Sequence, residues 1–385
     1  MSAVAITETK NNLYESFVKA INDVGGRLIG SGDRVLIKPN LVEPAAQDSG
    51  QITSPRVIEA VARYCLDYGA AEVIIGEGPS YYQPKSQLRE CFTRTGVSEV
   101  ANRLGIKWVV FDDYGYRTFK GISDRTPDKF RVTEFAFSCN KFINLPVLKT
   151  HYLTTVTLAM KNLKGCLKRE DKPLFHQQDL SGAVVELCQI IRPTINVIDC
   201  TSRAIVHQLG SGYAEGAKKS GSGLLITGSD IVATDAVGSA LMGIDPAEVR
   251  TVTLGNAAGL GESDLTRIDI IGEELKLLKF KVRLPQEQLR HKFPLLEIIG
   301  VEKACSGCLL PLLSSLSLLG ERGVKLKKPV AVCLGKEPCV PKDKAYLLIG
   351  DCARLVDGDE TNCLGGCPLS RDELLKRLGQ YMADT

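Results

Sequence analysis

The chain has 385 residues, of which 44% are hydrophobic and 24% are charged, and its formal net charge is +3 at pH 7. This composition is typical of a globular protein with a sizeable core, and it excludes a disordered chain and a membrane protein. The near balance of charge predicts neither a nucleic acid nor a membrane as partner. The length predicts two domains, or one large α/β domain with an appendage.

The first part of the chain alternates helices and strands. In chain order the sequence predicts a helix at 12–22, a strand at 34–38, a helix at 54–69, a strand at 72–76, helical segments at 87–95 and 98–104, a strand at 107–111, a β-rich insertion to 138 and a strand at 141–145. The helix at 54–69 is well marked, because Ser54 is a preferred N-cap, Pro55 suits the first helical position and Gly69 ends the pattern. Strand, helix and strand in this order predict a parallel sheet.

The same alternation continues to about residue 260. Apolar residues at helical spacing predict a helix from Val156 to Leu163, on which Lys161, Lys164 and Lys168 share one face. A helix at 182–191, a strand at 194–198, a strand at 223–227, a helix at 231–242 and a hairpin of 267–271 with 279–283 follow. We therefore expect an α/β core domain at residues 1–286, with a mostly parallel sheet flanked by helices.

A second, smaller α/β unit rich in cysteine is predicted at residues 287–385. It contains a helix that carries Cys305 and Cys308, strands at 330–333 and 346–349, and a final helix whose start is marked by Ser370 and Glu373 as a capping box.

Three features of the sequence predict a cytoplasmic protein: its first residues, its most apolar stretch and its cysteines. Residues 1–8 lack the basic start and apolar run of a signal peptide, and the apolar stretch from Cys308 to Leu319 is too short to cross a bilayer. Cytosolic thiols are kept reduced, so thirteen cysteines indicate metal or redox chemistry rather than disulfides.

The cysteines are concentrated near the C-terminus. Seven of the thirteen fall in one stretch, at Cys305, Cys308, Cys333, Cys339, Cys352, Cys363 and Cys367. Such density in Gly-rich, loop-like surroundings suits a thiolate-bound metal or cluster better than a packed core. The remaining six are scattered among apolar positions and are predicted to be packing residues.

We predict Cys305, Cys308, Cys352 and Cys367 as the metal ligands, because each lies in a turn or at the end of an element. Cys363 is the main competitor. Structural zinc usually uses two close pairs about 15–20 residues apart, whereas strands lie in the long gap between Cys308 and Cys352. The spacing favours an iron–sulfur cluster of the [4Fe-4S] type over zinc, which stays the alternative.

A second group of polar residues follows the predicted strands. Lys38 and Asn40, Glu77, Lys149 and His151, and Asp199 come after four different strands, and Lys161 and Asn162 lie on the next helix. The carboxyl ends of parallel strands meet at one sheet edge, where α/β folds bind ligands. We expect His151, Lys149 and Glu77 to perform acid/base chemistry, and Lys38, Asn40, Lys161, Asn162 and Asp199 to bind an anionic substrate. The alternative is that Lys161, Lys164 and Lys168 form a solvated face.

Several of these segments resemble the family named domain of unknown function 362. The resemblance covers about residues 30–250 and is carried by Val35-Leu-Ile-Lys-Pro-Asn-Leu-Val42, Thr53-Ser-Pro55, Gly69-Ala, Gly76-Glu-Gly78, Lys149-Thr-His151 and Val156-Thr-Leu-Ala-Met-Lys-Asn-Leu-Lys-Gly165. Many members are described as iron–sulfur proteins or adjoin ferredoxin-type segments, so the resemblance implies a cluster. This chain lacks the closely spaced C-x-x-C-x-x-C run of a ferredoxin domain.

Three functions follow from these observations. The first is a cytosolic, redox-active iron–sulfur protein, an oxidoreductase whose cluster lies next to the polar site for an anionic substrate or redox partner. The second is a non-redox isomerase or lyase on a small anionic metabolite, with structural zinc. The third is an electron-carrier module without its own substrate. The number of thiols is compatible with a cluster shared in a homodimer.

Overall fold

The computed structural model describes residues 2–9, 12–47, 49–81, 84–177, 179–202, 204–208, 214–218, 223–355 and 360–382. The chain divides into two compact units. The core unit lies within residues 1–208 and 214–282, and the C-terminal unit within residues 283–385.

The described strands of the core unit are β1 (Ser2–Glu8), β2 (Arg34–Pro39), β3 (Glu72–Glu77), β4 (Lys107–Val110), β5 (Tyr116–Lys120), β6 (Lys129–Thr133), β7 (Lys141–Leu145), β8 (Lys149–His151), β9 (Thr155–Thr157), β10 (Ile195–Cys200), β11 (Ala204–Gln208), β12 (Ala214–Lys218), β13 (Leu224–Gly228) and β14 (Ile268–Gly272). Its described helices are α1 (Leu13–Asp23), α2 (Pro55–Asp67), α3 (Glu90–Thr93), α4 (Val97–Leu104), α5 (Phe135–Ser138), α6 (Ala159–Asn162), α7 (Asp171–Gln177), α8 (Leu180–Ile190), α9 (Ile231–Leu241), α10 (Arg250–Ala257) and α11 (Leu275–Leu278).

Eight of these strands form the main sheet of the described core unit, in the order β14-β1-β13-β10-β7-β2-β3-β4. The strands from β10 to β4 are parallel, as is β14 with β1, whereas β13 runs antiparallel to both neighbours. The predicted α/β class with a mostly parallel sheet is confirmed. A four-stranded sheet, β12-β11-β8-β9, and the hairpin of β5 and β6 complete the described strands.

The alternation of side chains along β2 separates an apolar face from a polar one. Val35 and Ile37 belong to the core cluster that also contains Phe17 of α1 and Ile58 of α2. Successive side chains of a strand point to opposite faces, so Lys38 leaves the sheet on the other side.

The local signals for the helices are also present, since the Asn12 side chain accepts hydrogen bonds from two backbone N–H groups at the start of α1.

Two sequence predictions in this unit are wrong. The helix expected from Val156 to Leu163 is replaced by β9, the short helix α6 and a 3₁₀ turn, because the β-branched residues at 154–157 favour an extended backbone. The hairpin of 267–271 with 279–283 does not form either. Instead β14 pairs in parallel with β1, and the segment at 279–283 has no strand.

The described C-terminal unit contains β15 (Leu296–Ile299), β16 (Val330–Leu334), β17 (Ala345–Ile349) and β18 (Cys363–Leu364), with α12 (Pro285–Lys292), α13 (Ser306–Glu321) and α14 (Arg371–Gly379). Its strands pair in chain order and all are parallel. The Ser370 hydroxyl accepts a hydrogen bond from Glu373 N at 3.4 Å, which caps α14 as the sequence predicts. Within the described part of the whole chain, no helix is both long and apolar enough to cross a membrane.

Candidate functional site

A row of polar side chains crosses the middle of the main sheet. Lys38 of β2 is paired in register with Asn144 of β7, and Asn144 is paired with Asn196 of β10. All three are completely buried. Buried polar groups in a parallel sheet need partners within the protein, so this row fixes a hydrogen-bond network in an otherwise apolar layer.

The Lys38 and Glu77 side chains form a buried ion pair at one end of the row. Lys38 Nζ donates to Glu77 Oε2 at 2.8 Å, and both side chains are at most 3% exposed. The same oxygen accepts from Leu41 N at 3.3 Å, and Gly78 N donates to Oε1 at 2.8 Å. A methyl group at Gly165 would collide with Glu77 Oε1 and lie 2.6 Å from Lys38 Nζ. Glycine therefore lets the backbone close over this pair.

A chain of side-chain amides connects this row to Lys149. Lys149 Nζ donates to Asn40 Oδ1 at 2.8 Å, and Asn40 Nδ2 donates to Asn162 Oδ1 at 2.8 Å. Asn162 Nδ2 then donates to Asn144 Oδ1 at 2.8 Å, and Asn144 Nδ2 donates to Asn196 Oδ1 at 2.9 Å. Each amide is oriented by its neighbour, so the chain fixes the position of the lysine nitrogen at its end.

The Lys149 amine is placed for proton transfer. It donates to Asn40 Oδ1 and to the backbone oxygen of Gln51, both at 2.8 Å, and both atoms can only accept. Burial lowers its pKa to about 7, and the Lys161 ammonium lowers it too, while Glu43 and Glu77 act in the opposite direction. The third tetrahedral position of Nζ can therefore hold either a proton or a lone pair near neutral pH.

His151 presents one ring nitrogen without a partner. Its Nδ1 accepts from Leu153 N at 3.1 Å and Thr154 N at 3.3 Å, so the ring proton of the neutral form lies on Nε2. Nε2 is buried and has no hydrogen bond among the described residues. The tight turn ends at Thr155, whose φ of 65° is strained for a β-branched residue. Burial lowers the pKa of His151 well below its usual value, with Lys161 next in effect.

Three cationic side chains that the sequence did not single out as site residues join this group. Lys164 and Lys172 are buried beside Lys161, and His176 of α7 is buried next to them. Burial lowers the pKa of Lys172 and lowers those of Lys164 and His176 well below their usual values. We call Lys38, Lys149, Lys161, Lys164 and Lys172 the lysine cluster, and the cluster with Asn40, Glu77, His151, Asn162 and His176 the core site.

The solvated lysine face, which is the alternative interpretation of the sequence, does not form at Lys161 and Lys164. Lys164 is 9% exposed and Lys161 is partly buried. Lys168 alone is paired near the surface, with Glu170 at 3.6 Å.

Asp199 lies away from the hydrogen bonds of the core site. Its Oδ2 accepts from Ser54 N at 2.7 Å at the start of α2, and its Oδ1 accepts from both the backbone N–H and the hydroxyl of Thr201. These bonds give it a structural role at a helix start and a turn. The Ser54 side chain makes no capping bond, although it occupies the predicted N-cap position.

A second buried carboxylate, Asp235 of α9, holds the start of α6. It accepts from the backbone N–H groups of Ala159 and Met160, the second at 3.1 Å. Burial raises its pKa to about 7, against the effect of these two bonds. Because α6 carries Lys161 and Asn162, Asp235 positions part of the core site.

Loops of the C-terminal unit bring the predicted cysteine ligands together. Cys305 is the N-cap residue of α13, and Leu369 N donates to Gly307 O at 3.0 Å, which ties the loop after Cys367 to the start of that helix. Gly350 N donates to Leu364 O at 2.8 Å. The carboxyl ends of β17 and β18 therefore hold both loops at one sheet edge.

The four thiols influence one another electrostatically. The pKa of Cys308 is raised to about 12, first by burial and then by Cys305, Cys352 and Cys367 in that order. The pKa of Cys367 is raised by burial and by Cys305 and Cys352. A methyl group at Gly350, where φ is +87°, would collide with the Cys308 sulfur. The set of donors suits a thiolate-bound cluster in chemistry, and glycine keeps the space beside Cys308 open.

The other cysteines are placed differently. Cys333 is completely buried in a small apolar cluster, and Cys363 packs against that cluster. Cys339 is exposed. The six cysteines of the core unit are all buried, at Cys65, Cys91, Cys139, Cys166, Cys188 and Cys200. Among the described residues, no three His, Cys, Asp or Glu side chains are arranged as a group to hold a metal ion. The four predicted ligands therefore act on one another electrostatically without forming such a group in this structure.

Comparison with known proteins assigns the core unit. A sequence model of the family described as Domain of unknown function (DUF362) matches residues 35–240, more than half of the chain. The chain belongs to this family. The matched segment contains Lys38, Glu77, Lys149, Lys164 and the rest of the core site, and it ends before the cysteines of the C-terminal unit.

Relatives share parts of this chain. It is 29% identical over 241 residues to the thylakoid-associated protein sll1697 of Synechocystis sp., a match that covers 61% of this chain and 71% of that protein. Two solved structures are similar at 12% identity. The lactate racemase apoprotein of Thermoanaerobacterium thermosaccharolyticum matches with a TM-score of 0.34 over 52% of this chain and 50% of that one. A Thermotoga maritima protein from structural genomics matches with a TM-score of 0.38 over 64% and 58%.

Proposed function

We propose that this protein is a redox-active iron–sulfur protein that acts on a small anionic substrate or redox partner. Its C-terminal unit would hold a [4Fe-4S]-type cluster through Cys305, Cys308, Cys352 and Cys367, and its core site would bind the anion. The observation that carries the proposal is the closeness of Gly350, two residues before Cys352, to the Cys308 sulfur, together with the electrostatic effect of Cys305, Cys352 and Cys367 on Cys308. Such a cluster supplies one-electron transfer, and a cytoplasmic location keeps its thiol ligands reduced.

The core unit supports the second half of the proposal. Lys38, Lys149, Lys161, Lys164 and Lys172 lie in or near the buried network, with Glu77 as the partner of one of them. Five lysine side chains with so few carboxylates among the described residues favour an anionic ligand, because the ligand supplies the counter-charge of their protonated forms. Lys149 and His151 would then hold and orient it, Lys149 as a proton donor or acceptor and His151 as a neutral donor.

Metal analysis of protein purified without oxygen tests the cluster. We expect iron and acid-labile sulfide in equal amounts and a broad visible absorption that bleaches on reduction. Cys352→Ser should lose most of the iron, whereas the matched variant Cys363→Ser should keep it, since Cys363 packs against an apolar cluster. Stoichiometric zinc in a colourless protein, or equal iron loss in both variants, would contradict the proposal.

A non-redox isomerase or lyase is the second candidate, and one observation favours it. The buried Lys149 amine, whose pKa is about 7, is suited to move a proton next to an anionic group without any electron transfer. Exchange of substrate hydrogen with deuterated solvent in protein stripped of iron would support this candidate. If removal of iron abolishes both the hydrogen exchange and the redox activity, the redox function is supported.

A further inference from the structure

The lysine cluster has one end that is neutralised and one that is not. Lys38 pairs with Glu77 at 2.8 Å, and the Lys149 and Lys172 amines feel the attraction of carboxylates. By contrast, Lys161 and Lys164 make no ion pair within the described ranges, and only burial and other cations act on their pKa values. Among the side chains that the structure describes, these two amines therefore have no carboxylate partner.

The same end contains two buried imidazole nitrogens without partners. His151 Nε2 and His176 Nδ1 have no hydrogen bond among the described residues. His151 is completely buried and His176 is 3% exposed. Because Nδ1 of His151 already accepts two backbone N–H groups, its Nε2–H is a donor that needs an acceptor. An unsatisfied buried donor destabilises the fold unless a ligand satisfies it.

The two features lie together. The cations that lower the pKa of His151 are Lys161, His176, Lys164 and Lys149, after burial, and those that lower the pKa of His176 are Lys164 and Lys161. The ring of Tyr81 is 6.0 Å from that of His176 and 5.9 Å from the Lys164 ammonium, so it forms a wall beside both. Of Lys161, Lys164, His151 and His176, Lys161 is the one that is partly exposed.

We propose that Lys161, Lys164, His151 and His176 bind the oxyanion group or groups of a small ligand that carries two negative charges. This inference names the ligand class of the anion site and rests on that half of the proposed function. Two ammonium groups without counter-ions match two negative charges, and two imidazoles match oxygen acceptors. A phosphate ester and a dicarboxylate both have this chemistry.

Titration of the purified protein with inorganic phosphate, succinate and acetate tests the charge requirement. We expect phosphate or succinate at millimolar concentration to raise the melting temperature of the core unit and acetate to raise it much less. Calorimetry at pH 8 in two buffers of different ionisation enthalpy should show proton uptake on binding, because a dianion raises the pKa of both lysines. A stronger response to phosphate indicates a phosphate ester, and a stronger response to succinate indicates a dicarboxylate. Equal responses to acetate and the dianions would overturn the inference.

Variants separate a binding role from a structural one. Lys164→Met should raise the melting temperature without ligand, because it removes an unpaired buried amine, and should weaken dianion binding about 10- to 100-fold. Lys168→Met is the matched control, since Lys168 pairs with Glu170 near the surface of the same segment. It should change neither property. If Lys164→Met does not fold, Lys164→Gln and Lys161→Met provide the same comparison.

The inference would be overturned if the lysine variants bound the dianion with the same affinity as the wild type. Iron content is measured on each sample. Normal iron with no dianion binding refutes the site and leaves the cluster proposal intact, whereas dianion binding in protein that never contains iron refutes the cluster and leaves the site.

Discussion

Replacement of Glu77 by glutamine should destabilise the core unit strongly. Glu77 is the partner of a completely buried ammonium, and its two oxygens accept three hydrogen bonds, from Lys38 Nζ, Leu41 N and Gly78 N. The amide removes the negative charge and turns one acceptor into a donor that faces other donors. Removal of one partner of a buried pair costs about 3–5 kcal/mol because the other charge stays uncompensated.

A matched surface pair sets the scale for this loss. Lys19 and Asp23 are 2.6 Å apart, but their side chains are 58% and 21% exposed. Asp23→Asn should therefore cost no more than about 0.5 kcal/mol. Glu77→Gln and Asp23→Asn change the same chemical group at similar distances, so the difference between them measures burial.

Tryptophan fluorescence is the assay that reports on the core unit. The chain has one tryptophan, Trp108, which pairs with Ile75 between β4 and β3. Urea unfolding followed at this residue gives the free energy of unfolding of that unit without a signal from the other. Lys38 Nζ also donates to Pro39 O and Asn162 Oδ1, so a loss below about 1 kcal/mol for Glu77→Gln would refute the view that Glu77 is its main partner. The double variant Lys38→Met/Glu77→Leu should recover most of the loss, since replacing both members of a buried pair is often neutral.

Three further predictions concern glycine contacts and a titrating lysine. Gly165→Ala places a methyl group against Glu77 Oε1 and should lower the free energy of unfolding by about 1–3 kcal/mol, measured by the same fluorescence assay. Lys161→Met should be more stable than the wild type by about 1–3 kcal/mol at pH 7, with a difference that shrinks toward pH 10. The reason is that burial lowers the pKa of Lys161 to about 7 in the folded chain. Between pH 7 and pH 10 the unfolded chain therefore binds more protons than the folded chain, and the stability of the wild type rises with pH over this range. Gly350→Ala places a methyl group against the Cys308 sulfur and should reduce the iron content several-fold.

Each of these variants has a control in the same chain. Gly30→Ala adds a methyl group to the same unit with no atom closer than 3.8 Å, so it isolates the clash at Gly165. Gly323→Ala shares the positive φ of Gly350 without a close neighbour and separates backbone strain from contact with the sulfur. Lys168→Met should show no comparable change between pH 7 and pH 10. A pH trend equal in the Lys161 and Lys168 variants would refute the linkage, because Lys149, His151, Lys164 and His176 surround only the first.

The part of the core site that follows strand ends could be predicted from sequence. Lys38, Asn40, Glu77 and Lys149 each come directly after or at the end of an apolar strand, and parallel strands bring such ends together. Their hydrogen bonds in the structure match this logic. Asp199 follows the same rule, but its carboxylate accepts a hydrogen bond from Ser54 N at the start of α2. This contact joins residues 145 positions apart, so the local sequence does not predict it.

Other residues of the buried network depend on the register of the strands, so the local sequence pattern could not place them. Asn144 and Asn196 lie inside strands, and the row they form with Lys38 requires the pairing of three strands distant in sequence. A signal was present, since an asparagine within a buried apolar strand is unusual. Lys172 and His176 lie in a segment whose polarity indicates a linker, and only the fold shows that α7 buries them.

The two ends of the lysine cluster explain how one site can be both stable and selective. At the Lys38 end, Glu77 is part of the protein, so the pair is satisfied with or without a ligand. At the Lys161 and Lys164 end, no described carboxylate supplies the counter-charge, so the buried Lys164 amine and the partly exposed Lys161 amine both destabilise the unliganded chain. A dianion relieves both at once, whereas a monoanion relieves one, and mass action then links ligand charge to folding stability. Preference for two charges therefore needs no additional contact: it follows from which lysines the chain pairs and which it leaves unpaired.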